Sequence, residues 1–276
     1  MLSVRSFADL NRTIADNLHR LDRDKFDCVV GIPRSGMIPA ALIATSLQKP
    51  LADVDGYARG LVAGRSGVQE RAGQRVLLVD DSANKGRAMA AAVARIAHQA
   101  SEITRLAVFG PYQVEPATVC DMFFECVHGP RAFQWNMMKH IRLDRWCFDF
   151  DGVLCRDPTK EENDDGPAYE KFLANAEPLF LPTRPIGHIV TGRLEKYRGA
   201  TDAWLKRHGV SYTSMTMMPY STKAERLAAG GRGQWKAEQF KRIGAEFFIE
   251  SDPKQAGIIA RESGLPVWCT RTQSLA

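Results

Sequence analysis

The chain has 276 residues, 45% of them hydrophobic and 25% charged, and a formal net charge of +5. These values fit one large or two modest globular domains and exclude extended disorder. The mild basicity comes without any Lys/Arg-rich run, which suits a site for an anionic small molecule and argues against nucleic-acid binding.

No apolar run reaches the ~18 residues of a membrane span. The first ten residues lack an apolar core and already carry Asp9, so no cleaved leader is expected. The six cysteines (Cys28, Cys120, Cys126, Cys147, Cys155, Cys269) show no Cys-x-x-Cys pair and no histidine at zinc spacing. Reduced, mostly buried thiols and a cytoplasmic location are the expectation.

In chain order, the first strand is expected at Phe26–Val30. It runs into the loop Gly31-Ile32-Pro33-Arg34-Ser35-Gly36-Met37, and an Ala/Leu-rich helix follows over Ile38–Leu47. The same logic returns at Arg75–Val79, which leads into Asp80-Asp81-Ser82-Ala83-Asn84-Lys85-Gly86 and a helix from Arg87 to about Ala100. A third strand is expected at Arg105–Phe109. Strands alternating with helices imply a parallel sheet covered on both faces.

The second half opens with an apolar strand that ends in Asp149-Phe150-Asp151-Gly152. His188–Thr191 is a further strand, with a helix from Glu195 to His208. Ala245–Asp252 is a third strand ending in acids, followed by a helix over Pro253–Ser263 and a last strand at Leu265–Cys269. The boundary between the halves is expected between Met138 and Arg145, giving domains 1–142 and 143–276. Met215, Met217 and Met218 read as core or loop filler, and Gly230-Gly231-Arg232-Gly233 as a flexible turn.

Each half carries chemistry at its strand ends. In the first, Asp80 and Asp81 can accept hydrogen bonds from ribose hydroxyls, and the amides opening the next helix can bind phosphate. Arg34, Ser35 and Gly36 suit a second, pyrophosphate-like anion. In the second half, Asp149, Asp151, Thr191, Glu250 and Asp252 all lie at ends of strands that would be neighbours. Several carboxylates in one crevice call for a hard divalent cation with oxygen ligands, Mg²⁺. One carboxylate can attack phosphorus, another can move the proton, and a hydroxyl and a lysine can hold the phosphoryl oxygens.

Val76–Arg87 resembles the phosphoribosyl pyrophosphate (PRPP) motif of type I phosphoribosyltransferases, and Ile32–Gly36 resembles that family's pyrophosphate loop. The resemblance implies PRPP bound with Mg²⁺. Arg34, Ser35 and Gly36 would meet its pyrophosphate, Asp80 and Asp81 its ribose, and Ser82, Ala83, Asn84, Lys85, Gly86 and Arg87 its 5′-phosphate. Tyr57–Arg71 falls where the family keeps its catalytic loop. The aromatic segments Phe109–Tyr112 and Phe133–Asn136 would form the hood over a flat acceptor, or else simply sit in the core. Lys85 and Ala88 stand where the family usually has hydroxyl residues.

Asp149-Phe150-Asp151-Gly152-Val153-Leu154 resembles the first motif of the haloacid dehalogenase (HAD) phosphohydrolases. Thr191-Gly192-Arg193, Lys236 and Glu250-Ser251-Asp252-Pro253 follow in that family's order. The resemblance implies Asp149 as nucleophile, Asp151 as general acid/base, and Thr191 and Lys236 as phosphate holders. Mg²⁺ would rest on Asp149, the Asp151 carbonyl and the acids Glu250 and Asp252. Asp157–Glu177 leaves room for a minimal cap.

The expected fold is therefore α/β, with two Rossmann-like parallel-sheet domains, a phosphoribosyltransferase fold and then a HAD fold. The expected function is a bifunctional enzyme, a phosphoribosyltransferase acting on PRPP and a base-like acceptor and a phosphatase acting on a phosphorylated small molecule. The alternative is a HAD phosphatase or nucleotidase whose N-terminal domain senses PRPP or a nucleotide without turning it over. Neither membrane nor nucleic acid is an expected partner, and the first resemblance implies a homodimer.

Overall fold

A computed structural model describes residues 2–66, 72–115 and 118–276. The chain divides into two compact units, Ser3–Trp135 and Asn136–Ala276. Among the described residues, no helix is long and apolar enough to cross a membrane.

The first unit comprises β1 (Ser3–Arg5), α1 (Phe7–Asn17), β2 (Cys28–Gly31), α2 (Met37–Leu47), β3 (Leu51–Asp53) and α3 (Val54–Ala58). It continues with β4 (Arg75–Ser82), α4 (Arg87–Ile96), β5 (Glu102–Pro111), β6 (Met122–Val127) and β7 (Arg131–Phe133). The main sheet is parallel throughout, in the order β3-β2-β4-β5-β6. Its strands are apolar on both faces because both faces are covered. Val29, Leu77 and Val79 pack with Ala40, Ile43 and Leu47 of α2. Their chain neighbours Val30, Val76 and Leu78 pack with Met89, Ala92 and Ile96 of α4. The parallel pair β1–β7 forms a separate small sheet. Helix α1 starts at a capping box in which Ser6 and Asp9 satisfy each other's backbone amides.

The second unit comprises β8 (Trp146–Phe148), α5 (Pro167–Asn175), β9 (Ile186–Leu194), α6 (Arg198–Arg207) and β10 (Tyr212–Met218). Then come α7 (Lys223–Ala229), α8 (Arg232–Ile243), β11 (Phe247–Glu250), α9 (Pro253–Ser263), β12 (Val267–Cys269) and β13 (Ser274–Leu275). The sheet order is β10-β9-β8-β11-β12-β13, parallel except for the β12–β13 pair. Phe240 of α8 and Ile259 of α9 pack on Cys147, Phe248 and Val267.

Several expectations shift. The helix after Gly86 ends at Ile96 rather than near Ala100. The helix expected from Glu195 opens with a 3₁₀ turn, Glu195–Tyr197, before α6. Gly230 and Gly231 do turn the chain, but Arg232 and Gly233 already belong to α8. Of the two alternatives for Met215, Met217 and Met218 the core one holds: all three are buried in β10, an edge strand.

Candidate functional site

In each unit the chain reverses its direction of travel across the sheet at one point. In the first unit, β3 lies on one side of β2 and β4 on the other. In the second, β9 and β10 lie on one side of β8, and β11 and β12 on the other. Loops leaving the carboxyl ends of the two strands at such a switch point part and leave a crevice where ligands bind. The loops concerned are those that sequence reading selected: Gly31–Met37 and Asp80–Gly86, then Asp149–Gly152 and Glu250–Asp252.

The first crevice is bounded by a cavity of about 280 Å³ lined by Asp80, Ser82, Ala83, Asn84, Lys85, Gly86 and Arg87, with Ala88 and Met89. Strand β4 runs past Val79, so Asp80, Asp81 and Ser82 are still strand residues. Gly86 caps α4 with φ +67, and a Cβ there would lie 3.0 Å from Val119, so only glycine suits this turn. No side chain caps α4, which leaves its first amides and positive dipole end to an anion. Asn84, Lys85 and Arg87 are exposed around it.

Asp80 and Asp81 are both buried. Burial, and then the neighbouring Asp81 charge, push the Asp80 carboxyl up to about 8. The β2 loop closes on this pair. A Cβ at Gly36 would lie 2.9 Å from Asp80 Oδ1, so the loop holding Arg34 and Ser35 passes directly beside it. Arg34 is exposed and Ser35 half-buried. Of the expected catalytic loop Tyr57–Arg71, Tyr57 and Ala58 end α3, and residues 67–71 lie outside the described residues.

Trp135 carries a role that its sequence context left open. Its indole N–H donates to Asp81 Oδ2 at 2.6 Å. Its ring lies 5.1 Å from Phe133 and 5.4 Å from Phe7, centroid to centroid. The Phe7 amide donates to Gln134 Oε1, which ties this aromatic group to the start of α1. The aromatic segment after β7 therefore stands against the acid pair, whereas Tyr112 stacks on His128 elsewhere at the strand ends.

The second crevice is a cavity of about 300 Å³. Asp149, Asp151, Thr191, Lys236 and Asp252 all line it. Lys236 is buried between two carboxylates, with Nζ 2.7 Å from Asp149 Oδ2 and 2.6 Å from Glu250 Oε2. Burial and then Glu250 push the Asp149 carboxyl well up, opposed by Lys236, while the two acids hold the Lys236 ammonium above its usual range despite burial. Glu250 Oε1 accepts from the Ser251 and Asp252 amides, so both of its oxygens are engaged within the fold. Asp252 caps α9 through Oδ1. Glu250 does not line the cavity.

Asp151 is paired with Arg193, Nη2 to Oδ1 at 2.6 Å. Arg193 is fully buried, with its guanidinium 3.8 Å from the centre of the Phe150 ring. The Thr191-Gly192-Arg193 motif by itself assigns Arg193 no task. Gly152 has φ +76, and a Cβ there would meet Ser251 Oγ at 2.3 Å. That approach lets Ser251 Oγ donate to the Asp151 carbonyl at 3.2 Å. The expected cap segment supplies Asp157, Pro158, Asn163 and Tyr169 to the cavity wall and contains one helix, α5. Among the described residues, no three His, Cys, Asp or Glu side chains gather as a metal cluster. Two carboxylates, Asp149 and Asp252, with the Asp151 carbonyl are nevertheless an all-oxygen set of the kind a hard cation takes.

Residues 2–117 match the family model described as "Phosphoribosyl transferase domain". Residues 2–117 make up a phosphoribosyltransferase-type domain. Among solved structures, the chain is similar to a purine phosphoribosyltransferase from Pyrococcus horikoshii Ot3, at 20% identity over 49% of this chain and 93% of that one, with a TM-score of 0.37. It is also similar to the Helicobacter pylori xanthine-guanine-hypoxanthine phosphoribosyltransferase, at 10% identity, again over 49% and 93% of the two chains, with a TM-score of 0.37. No curated protein matches the chain.

Proposed function

We propose that the chain is a bifunctional enzyme. Residues 1–142 would transfer the phosphoribosyl group of PRPP to a base-like acceptor, and residues 143–276 would hydrolyse a phosphomonoester. The observation that carries the first activity is the buried acid pair at the end of β4, set directly before the uncapped start of α4. A ligand with a ribose next to a phosphate satisfies both features at once. Asp80 and Asp81 would accept the ribose hydroxyls, the loop Ser82–Arg87 would hold the 5′-phosphate, and Arg34, Ser35 and Gly36 would meet the pyrophosphate that leaves C1. Trp135 would fix the Asp81 carboxylate and present its ring at the edge of the ribose site.

In the C-terminal unit, a HAD-type reading is supported by the central position of β8, with Asp149 between Thr191 of β9 and the acids Glu250 and Asp252 at the end of β11. Asp149 would attack phosphorus and form an aspartyl-phosphate. Asp151, oriented by Arg193, would give its proton to the leaving oxygen and then take one from water. Thr191 and Lys236 would hold the phosphoryl oxygens. Glu250 keeps Lys236 charged and in place. Mg²⁺ would be held by Asp149, the Asp151 carbonyl and Asp252, and supplies positive charge to the phosphoryl group when bound. Removing a 5′-phosphate from a ribosylated product would draw a reversible transfer forward, which gives the pairing of the two activities a purpose.

Lys85 and Ala88, in place of hydroxyl residues around the phosphate loop, favour a second reading in which the N-terminal unit binds PRPP or a nucleotide only as a sensor. The two readings part on one assay. With PRPP, Mg²⁺ and a panel of purine and pyrimidine bases, transferase activity releases pyrophosphate, and Asp80→Asn/Asp81→Asn abolishes that release. A sensor binds PRPP and releases none.

A further inference from the structure

The positive groups around the C-terminal cavity are not all neutralised. Lys236 sits between Asp149 and Glu250, Arg193 faces Asp151, and Arg271 pairs with Asp157 at 3.2 Å. Arg226 and Arg232 also line the cavity, and among the described residues neither makes an ion pair, although Asp252 attracts Arg232 and Asp165 and Asp151 attract Arg226 from farther off. Both converge on Gly192, next to Thr191. Arg226 Nη1 donates to the Gly192 carbonyl at 2.7 Å. The Arg232 Cδ passes 3.8 Å from where a Gly192 Cβ would be. The half-buried Arg226 keeps a buried Nε with no acceptor among the described residues. Burial, and then the adjacent Arg232 charge, hold its guanidinium below the ordinary arginine range.

Two like charges brought together on one wall, one of them partly desolvated, are costly unless an anion is shared between them. Guanidinium pairs are well matched to phosphate, which they can grip through several N–H groups at once. The reacting phosphoryl group already has Thr191 and Lys236. A cavity of about 300 Å³ is at the small end of small-molecule sites, which fits a compact ligand rather than a polymer.

We propose that Arg226 and Arg232 form a second anion subsite, so that the C-terminal unit selects small phosphomonoesters that carry another phosphate group near the one removed. The proposal rests on the phosphatase reading above. Its test pairs each monophosphate with its bisphosphate: adenosine 5′-monophosphate with adenosine 3′,5′-bisphosphate, and fructose 6-phosphate with fructose 1,6-bisphosphate. Phosphate release with Mg²⁺ is measured for the full chain and for Arg232→Gln and Arg226→Gln. For at least one pair the wild type should favour the bisphosphate by about tenfold or more in kcat/KM, and either variant should erase most of that advantage through KM. A wild type without preference in either pair, or variants that lower both members of a pair equally, would overturn the subsite. Thermal shifts in an Asp149→Asn background separate the two claims. If no substrate releases phosphate yet the bisphosphate still raises Tm more than the monophosphate, and Arg232→Gln removes the difference, the phosphatase reading fails and the subsite stands.

Discussion

Asp80 holds its proton near neutral pH, and this has consequences for stability and for binding. The folded carboxyl titrates at about 8, well above the ordinary value near 4. The stability this protonated group contributes is fully present below about pH 4 and is lost as pH rises through about 8. Asp80→Asn should therefore raise Tm at pH 8.5 by about 3–6 °C, and the difference should shrink towards pH 5. In the proposed site a ribose hydroxyl would donate to the ionised acid, so PRPP affinity should rise as pH goes from 6.5 to 8.5, by up to about tenfold per pH unit. Isothermal titration across that range checks it. At the second site, Arg193→Lys replaces a two-point grip on Asp151 with a point charge. It should lower kcat for phosphate release by about 10–100-fold with little change in KM, read from steady-state rates. Removing Lys236 leaves Asp149 and Glu250 facing each other in the interior. Lys236→Met should cost about 3–5 kcal/mol in urea unfolding, whatever it does to catalysis.

At the scale of elements, the sites depend on where strands stop and helices start. Gly86→Ala forces a side chain into the left-handed region against Val119. It should cost about 1–2 kcal/mol and turn the first amides of α4 away from the phosphate, so PRPP binding should weaken together with Tm. Much of this layer was legible beforehand. The strand–loop–helix units at Gly31–Met37 and Asp80–Gly86 announce themselves because a short apolar run ends abruptly in Gly and acids. The acids at Asp149, Asp151 and Asp252 do the same in the second unit. What escaped notice depends on pairing. β10 is held by β9, and its Ser214-Met215-Thr216-Met217 alternation is too short to mark a strand by itself. The opening of α8 follows two glycines that look like an unstructured turn. The tasks of Arg193, Glu250 and Trp135 are long-range contacts, Trp135 meeting Asp81 from far along the chain. No local spacing encodes those.

For the whole molecule, the two proposed chemistries should be separable within one chain. Asp80→Asn/Asp81→Asn should remove PRPP binding and leave phosphate release at Asp149 intact. Asp149→Asn should lower phosphate release by at least about a thousandfold and leave PRPP binding intact. Both double readouts can be taken on the same preparations, with circular dichroism to confirm that each variant is folded. The acid pair at the end of β4 and the start of α4 make up the proposed PRPP site. The most direct measurement is the melting temperature of the full chain titrated with PRPP and Mg²⁺, alongside Asp80→Asn/Asp81→Asn. Binding to the native state raises Tm by linkage, so a saturable PRPP-dependent rise that the double variant lacks is the predicted result. No rise at millimolar PRPP, or an equal rise in the double variant, would contradict it.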